Sequence, residues 1–302
     1  MLERTRFIWL DGRLLDFDKA NFHVLSHSLH YGSGIFEGIR CYSTPRGPAV
    51  FKLAEHVARL LSSARTMALE LPYDGATIAR AIVQTVTANE LTECYIRPIA
   101  FRGFGSMGLD PKGSSSHLCV AVWPWGAYFG KEKLELGVSV KISTIRRTPG
   151  PHNSAKICGN YWQSTLAKLE AKRAGCDEAL LLDSHGFVAE GAGENIFIVK
   201  DGELLTPALG AILPGITRDS VMTLARDAGY RVTETRLGQE QLFDADEAFF
   251  TGTAVEITPI SMIEGRQIGS GKRGPITAQL QKLYSDAVHG RGSAQFNWLT
   301  YL

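Results

Sequence analysis

Apolar and polar positions alternate along much of this chain, and where the alternation fails the apolar spacing lengthens to three and four. Residues 7–15 form two apolar runs around Asp11-Gly12, the signature of a hairpin closed by a two-residue turn. Residues 35–42 and 49–51 read as strands on either side of the Pro45-Arg46-Gly47-Pro48 turn. Leu53, Val57, Leu60, Leu61, Ala64 and Met67 recur at helical spacing and predict a helix over 53–67, with a second over 77–89. Strand patterns return at 94–101 and 117–123. Alternation in the C-terminal half predicts strands over 134–145, 179–183, 195–199, 203–206, 231–235, 246–251 and 258–268. Turns at Ser184-His185-Gly186, Asp201-Gly202 and Glu264-Gly265 punctuate them. Helices are predicted over 160–174, 216–228 and 276–289, the first two stopped by Gly175 and Gly229, and the tail to Leu302 carries little pattern. Strands predominate without regular alternation with helices, so the expected class is α+β. Residues 124–130 mix turn formers with aromatics, which divides the chain into a small domain over 1–123, a linker over 124–133 and a large domain over 134–302.

At 302 residues the chain has room for two cores. A net charge of +1 and a pI near 7.7 give no basic field for nucleic acid. No apolar run approaches the ~18 residues of a membrane span, and Met1-Leu2-Glu3-Arg4 opens without a signal-peptide core, so no membrane association and a cytoplasmic location are expected. Cys41, Cys94, Cys119, Cys158 and Cys176 are scattered without a C-x-x-C pair, which argues for reduced thiols over disulfides or zinc. His23, His27 and His30 have spacings that suit a metal on a helix face, but no carboxylate completes the set, so structural histidines and no metal are expected.

Two glycine motifs fail on context. Gly103-Phe104-Gly105-Ser106-Met107-Gly108 matches a dinucleotide turn but leads into a loop where a helix is required. Gly269-Ser270-Gly271-Lys272 lacks the strand, spacing and hydroxyl of a phosphate-binding loop.

Three other stretches carry chemistry. Asn153-Ser154-Ala155-Lys156-Ile157-Cys158-Gly159-Asn160-Tyr161 sets one lysine among small and apolar residues. A lysine amine attacks carbonyls only where burial or nearby cations favour its neutral form, and a solvated lysine at a helix start is the alternative. Glu190-Gly191-Ala192-Gly193-Glu194-Asn195 ends a hairpin with a carboxylate. Leu213-Pro214-Gly215-Ile216-Thr217-Arg218 opens a helix behind a glycine, and Thr251-Gly252-Thr253-Ala254 is a turn after a strand; both present backbone donors suited to phosphate. An amine for an aldehyde, an anion for a ring nitrogen and donors for a phosphate are what pyridoxal 5′-phosphate requires.

In that order the motifs resemble the class IV, or fold type IV, pyridoxal-phosphate transaminases. Ser26-His27-Ser28-Leu29-His30-Tyr31-Gly32, Phe36-Glu37-Gly38-Ile39-Arg40 and Tyr95-Ile96-Arg97-Pro98 resemble the branched-chain amino acid aminotransferase subgroup. The resemblance implies two α/β domains joined by an interdomain loop. It implies Lys156 as the catalytic amine, Glu190 at the ring nitrogen and Tyr161 at the phenolic oxygen, with Arg59, Ile216, Thr217 and Thr253 around the phosphate. Phe36, Tyr31, Trp125 and Tyr128 are the implied apolar wall, with core packing as the alternative reading of Tyr31, Phe36 and Trp125. Arg97 is implied for the glutamate side chain, and Tyr95 with Thr253 and Ala254 for the α-carboxylate. The loop with Leu109 is implied to reach a neighbouring subunit, making a homodimer the smallest unit. The implied substrates are L-leucine, L-isoleucine and L-valine with glutamate and 2-oxoglutarate. D-amino acid and (R)-amine transaminases, aminodeoxychorismate lyases and a non-catalytic cofactor-binding protein stand as alternatives.

Overall fold

The computed structural model describes residues 3–126, 128–291 and 296–302, so Met1 and Leu2 of the N-terminal segment and Ala127 of the expected linker lie outside the described residues. The chain forms two compact units. One comprises Met1–Trp125, Ala155–Asn160 and Ala287–Leu302, and the other Gly126–Ser154 and Tyr161–Asp286. The segment bearing Lys156 thus folds with the first unit although both flanks belong to the second.

In the first unit the hairpin around Asp11-Gly12 forms β1 (Phe7–Leu10) and β2 (Arg13–Asp16), followed by a short helix α1 (His27–Tyr31) that the sequence pattern does not reveal. Then come β3 (Ile35–Phe36), β4 (Ile39–Thr44), β5 (Gly47–Phe51), helices α2 (Leu53–Thr66) and α3 (Gly75–Ala88), β6 (Cys94–Arg102) and β7 (Ser116–Trp123). The sheet runs β5-β4-β6-β7-β1-β2, with Leu299–Tyr301 added beside β5 and β3 pairing with β6. That last edge strand lies in the tail where no pattern was legible; three residues pairing on one side leave no alternation to read. Ile78, Ile82, Val57 and Leu60 of the two helices pack with Ile35, Ile39, Ile96 and Val120 of the sheet in one core.

The predicted strand over 35–42 is interrupted at Glu37-Gly38 without any slip, since Phe36 pairs with Ile99 and Ile39 with Ile96. Glu37 N donates to Pro98 O at 2.8 Å, but proline has no N–H to return the bond, so the ladder is half made there. The Glu37 side chain is fully buried. Arg59 of α2 donates from Nε to Oε1 at 2.7 Å and from Nη2 to Oε2 at 2.9 Å. His56 Nδ1 lies 2.7 Å from Oε2, which fixes the Nδ1–H tautomer because a carboxylate only accepts. Arg59 and His56 hold the Glu37 carboxyl far below its ordinary value of 4.5, overcoming the opposing effect of burial. Burial draws His56 below its ordinary value, against the opposing pull of Glu37.

Residues 155–160 attach to this unit mainly by backbone. Ile35 and Ile157 form an isolated antiparallel bridge. Phe36 N donates to Lys156 O at 3.1 Å, Cys158 N to Gly34 O at 2.8 Å and Gly159 N to Gly32 O at 2.9 Å. Lys156 N donates to Ser63 Oγ of α2 at 2.9 Å. Ala155 and Ile157 enter the core, which fixes the backbone on both sides of the lysine. Gly32 ends α1 at φ 61°, and a Cβ there would sit 2.6 Å from Gly159 Cα.

The second unit begins with a helical turn α4 (Lys133–Leu136) and β8 (Val138–Arg147). The strand expected from 134 therefore starts four residues later; Gly137, at φ 77°, separates helix from strand. Helix α5 (Tyr161–Arg173) leads to β9 (Glu178–Asp183), parallel to β8, and β10 (Val188–Gly191) returns antiparallel. β11 (Asn195–Lys200) and β12 (Glu203–Pro207) form the hairpin over Asp201-Gly202. Helix α6 (Ile216–Asp227) crosses to β13 (Val232–Thr235), parallel to β12. A short helix α7 (Gln239–Phe243) that the pattern does not reveal precedes β14 (Glu247–Gly252), β15 (Glu256–Ile263) and β16 (Arg266–Gln267). The sheet order is β10-β9-β8-β15-β14-β11-β12-β13, with β16 on β15.

Gly32→Ala combines a left-handed backbone with a backbone clash and is expected to lower unfolding free energy by about 3 kcal/mol in denaturant titrations, whereas Gly126→Ala, in open space, changes it by under ~0.5 kcal/mol. Because the Glu37 carboxyl is depressed on folding, its contribution is complete above 4.5 and lost as pH falls toward its folded value. Glu37→Gln is therefore expected to cost about 3 kcal/mol at pH ~7, with the deficit shrinking below pH ~4.5. A pH-independent deficit contradicts the ion-pair account.

Candidate active site

The residues singled out from the sequence fall into two groups, one in each unit. In the first, the Phe36 ring carries two cations, Lys156 Nζ at 4.9 Å and Arg97 Cζ at 4.7 Å from its centroid. Arg97 also lies over the rings of Tyr95 at 5.4 Å and Trp123 at 5.8 Å. Alternation along β6 places Tyr95 and Arg97 on one face. Tyr95 stacks on Trp123 at 5.1 Å, and Trp125 leans on Tyr95 at 5.0 Å. Arg97 Nε is buried without a hydrogen-bond partner among the described residues. A guanidinium that faces rings and has an unsatisfied N–H suits a carboxylate guest. A Cβ on Gly38 would lie 2.0 Å from Tyr95 Oη, so the phenol fills the space a side chain at position 38 would need.

Arg59 joins this unit through Glu37, which takes its Nε and one Nη. Tyr31 and Leu109 have other surroundings. Tyr31 donates from Oη to Met107 O at 2.6 Å, and His27 Nε2 reaches Gly108 O at 3.0 Å, so α1 holds the loop that leads to Leu109. Leu109 is 82% exposed, and Val24, Leu29 and Phe104 are exposed as well. The histidines are structurally engaged: His27 Nδ1 meets Ser33 Oγ at 2.8 Å and His30 Nε2 meets Val24 O at 2.9 Å.

In the second unit Glu190 lies buried on β10 next to a register shift between Val188 and Glu190. Its Oε2 accepts from Leu213 N at 3.1 Å and Asn195 Nδ2 at 3.3 Å, and its Oε1 lies 3.2 Å from Arg147 Nη2. The turn after Glu190 is closed by Gly191 N donating to Glu194 O at 2.7 Å. A Cβ on Gly191 would come within 2.6 Å of Glu194 Oε2 and 3.0 Å of the Phe250 ring, so a side chain there would displace the Glu194 carboxylate. Glu194 is buried, and desolvation, with Glu178 nearby, pushes its carboxyl up to about 8.

Helix α6 starts at Ile216 and Thr217 behind Gly215, and no side chain caps it. Its first N–H groups have no acceptor within the helix, and the dipole places partial positive charge there. Gly215 is pressed against Asn195, whose Oδ1 would be 1.9 Å from a Cβ. Thr253 and Ala254 occupy the tight turn between β14 and β15. Tyr161 is the first residue of α5. Tyr128 packs on Phe129 with centroids 4.7 Å apart and has Lys168 Nζ 5.6 Å from its ring centre.

Sequence reasoning did not single out Glu37 as an acid, His56, Ser63, Arg147 or Asn195. Glu37 was readable as a charge in an otherwise buried run, whereas Arg147 and Asn195 meet Glu190 only through the folding of three separate strands.

Residues 34–263 match the family described as amino-transferase class IV. The chain is 47% identical to the branched-chain-amino-acid aminotransferase of Pseudomonas aeruginosa over 302 residues, spanning 99% of this chain and 98% of that one. The crystal structure of the Escherichia coli branched-chain amino acid aminotransferase superposes with a TM-score of 0.95 at 41% identity, covering 98% of this chain and 99% of that chain. The T.th. enzyme of the same name, solved with pyridoxamine 5′-phosphate, gives a TM-score of 0.95 at 45% identity, with 99% of both chains covered. Its complex with N-(5′-phosphopyridoxyl)-L-glutamate gives 0.94 at 45% identity, again over 99% of both chains. Family match, full-length identity and fold agree: the chain belongs to the class IV amino-transferases, with the fold type IV architecture of the branched-chain amino acid aminotransferases.

Proposed function

We propose that this protein is a pyridoxal 5′-phosphate-dependent transaminase that moves the amino group between L-leucine, L-isoleucine or L-valine and 2-oxoglutarate. The observation that carries the reading is likeness along nearly the whole chain to relatives named for that reaction. The donor set fits the cofactor. Glu190 is a buried carboxylate with donors on both oxygens, the start of α6 is uncapped, Arg59 is held rigidly by Glu37, and Lys156 has its backbone fixed on both sides. When bound, the cofactor supplies a reactive carbonyl and an electron-withdrawing ring that stabilises negative charge at the substrate α-carbon.

With the cofactor bound, Lys156 Nζ would serve as the base that accepts the substrate α-proton and as the acid that gives it back. Glu190 holds the proton on the ring nitrogen. Arg59, the N–H groups of Ile216 and Thr217, and Thr253 hold the phosphate, and Tyr161 donates to the phenolic oxygen. Phe36, Tyr31, Trp125 and Tyr128 line the site for an aliphatic side chain, while Tyr95 with the backbone of Thr253 and Ala254 binds the α-carboxylate. Arg97 takes the second carboxylate of glutamate; its buried Nε with no partner among the described residues supports that role. The exposure of Leu109 supports a homodimer in which the loop that carries it reaches the partner's site. Among the described residues no helix is long and apolar enough to cross a membrane, and the cytoplasm is the compartment we assign.

Incubation with L-leucine and 2-oxoglutarate is expected to release glutamate. Turnover of D-amino acids or (R)-amines in place of all three branched-chain substrates would overturn the substrate assignment. Arg97→Leu is expected to raise KM for 2-oxoglutarate by roughly 10- to 100-fold, the scale of a lost hydrogen bond to a charged group. The half-reaction with leucine is expected to stay within about threefold, which steady-state and single-turnover assays can separate.

A further inference from the structure

The carboxylate of Glu190 is surrounded by groups that donate. Leu213 N–H and the Asn195 amide address Oε2, and the Arg147 guanidinium addresses Oε1 at 3.2 Å. The orientation of the Asn195 amide follows from Leu213 O, which only accepts and lies 3.0 Å from the same nitrogen. All of these donors, the guanidinium most of all, bond more strongly to a carboxylate than to a carboxylic acid, so the arrangement suits the anion. Arg147 is itself fixed. Nη1 donates to Gln163 Oε1 at 3.1 Å and Nη2 to Ser164 Oγ at 3.0 Å, both on α5, while the backbone of Arg147 ends β8. Its side chain is about nine-tenths buried, so solvent screens the pair weakly.

We propose that Arg147 is a positioning residue that keeps Glu190 ionised, so that the proton shared between Glu190 and the cofactor's ring nitrogen resides on nitrogen. This rests on the reading of Glu190 given above. A proton between a carboxylate and a pyridine has two resting places, N–H⁺ beside O⁻ or N beside O–H. A fixed cation touching the carboxylate stabilises O⁻ more than it opposes the more distant N–H⁺, and so tips the proton toward nitrogen. The guanidinium thereby sets how strongly the ring withdraws electrons without touching the ring.

The test is nuclear magnetic resonance of the holoenzyme loaded with cofactor labelled with ¹⁵N in the ring. In the wild type the signal is expected at the protonated position. In Arg147→Met it moves toward that of neutral pyridine, cofactor Kd rises on the order of tenfold and kcat falls about 100-fold with KM little changed, while Arg147→Lys keeps the protonated signal. A wild-type nitrogen that is not protonated, or one unaffected by Glu190→Gln, overturns the reading of Glu190 itself. Normal wild-type and Glu190→Gln behaviour with a protonated signal in Arg147→Met overturns the role of Arg147. Should the cofactor-free Arg147→Met protein show no cooperative melt, Arg147→Gln, which can still hydrogen-bond without the charge, carries the same comparison.

Discussion

The backbone pairing of residues 155–160 with the first unit is the constraint on which the rest depends. Two donations from Cys158 and Gly159 to carbonyls of Gly34 and Gly32, one from Phe36 to the carbonyl of Lys156, and the bridge between Ile35 and Ile157 hold the peptide as an added piece of sheet. Backbone pairing of this kind fixes the atoms from which the lysine side chain springs, so the position of the amine is set by hydrogen bonds that do not involve it. Glycine is demanded where the two segments touch, because Gly32 and Gly159 approach too closely for any Cβ at position 32.

Two buried carboxylates organise the charges, each by way of an arginine. Glu37 fixes Arg59 within the first unit, and Arg147 abuts Glu190 within the second. In the first case the acid fixes the cation, taking its Nε and one Nη. In the second the cation, itself held by Gln163 and Ser164, lies against one oxygen of the acid. Both pairs have additional hydrogen-bond partners, which offsets part of the cost of bringing charge out of water. Glu194 is buried as well, and there desolvation, with Glu178 nearby, pushes the carboxyl upward.

Much of this was legible in the sequence because it is local. The Asp11-Gly12 hairpin, the two amphipathic helices of the first unit, and the glycines around Glu190 and before Ile216 each express a short-range requirement that residue type reveals. What was not legible depends on distant segments. Nothing near Lys156 says that its neighbours pair with residues 32–36, and nothing near Arg59 names Glu37 as its partner. The alternation from Leu134 onward was read as strand, but Gly137 separates a helical turn from the strand proper. Functional roles became readable through the order of motifs along the chain, which resembles one family, and the identity with relatives bears out that family and its reaction.

The central claim is that the fold selects one amine, that of Lys156, to bond with the cofactor. Treating the holoenzyme with sodium borohydride fixes that bond as a stable secondary amine, and peptide mass mapping then locates it. The account predicts the phosphopyridoxyl mass on Lys156 and on no other lysine. The same mass on Lys168, Lys172 or any other lysine, or no labelled peptide from cofactor-loaded protein, would contradict it.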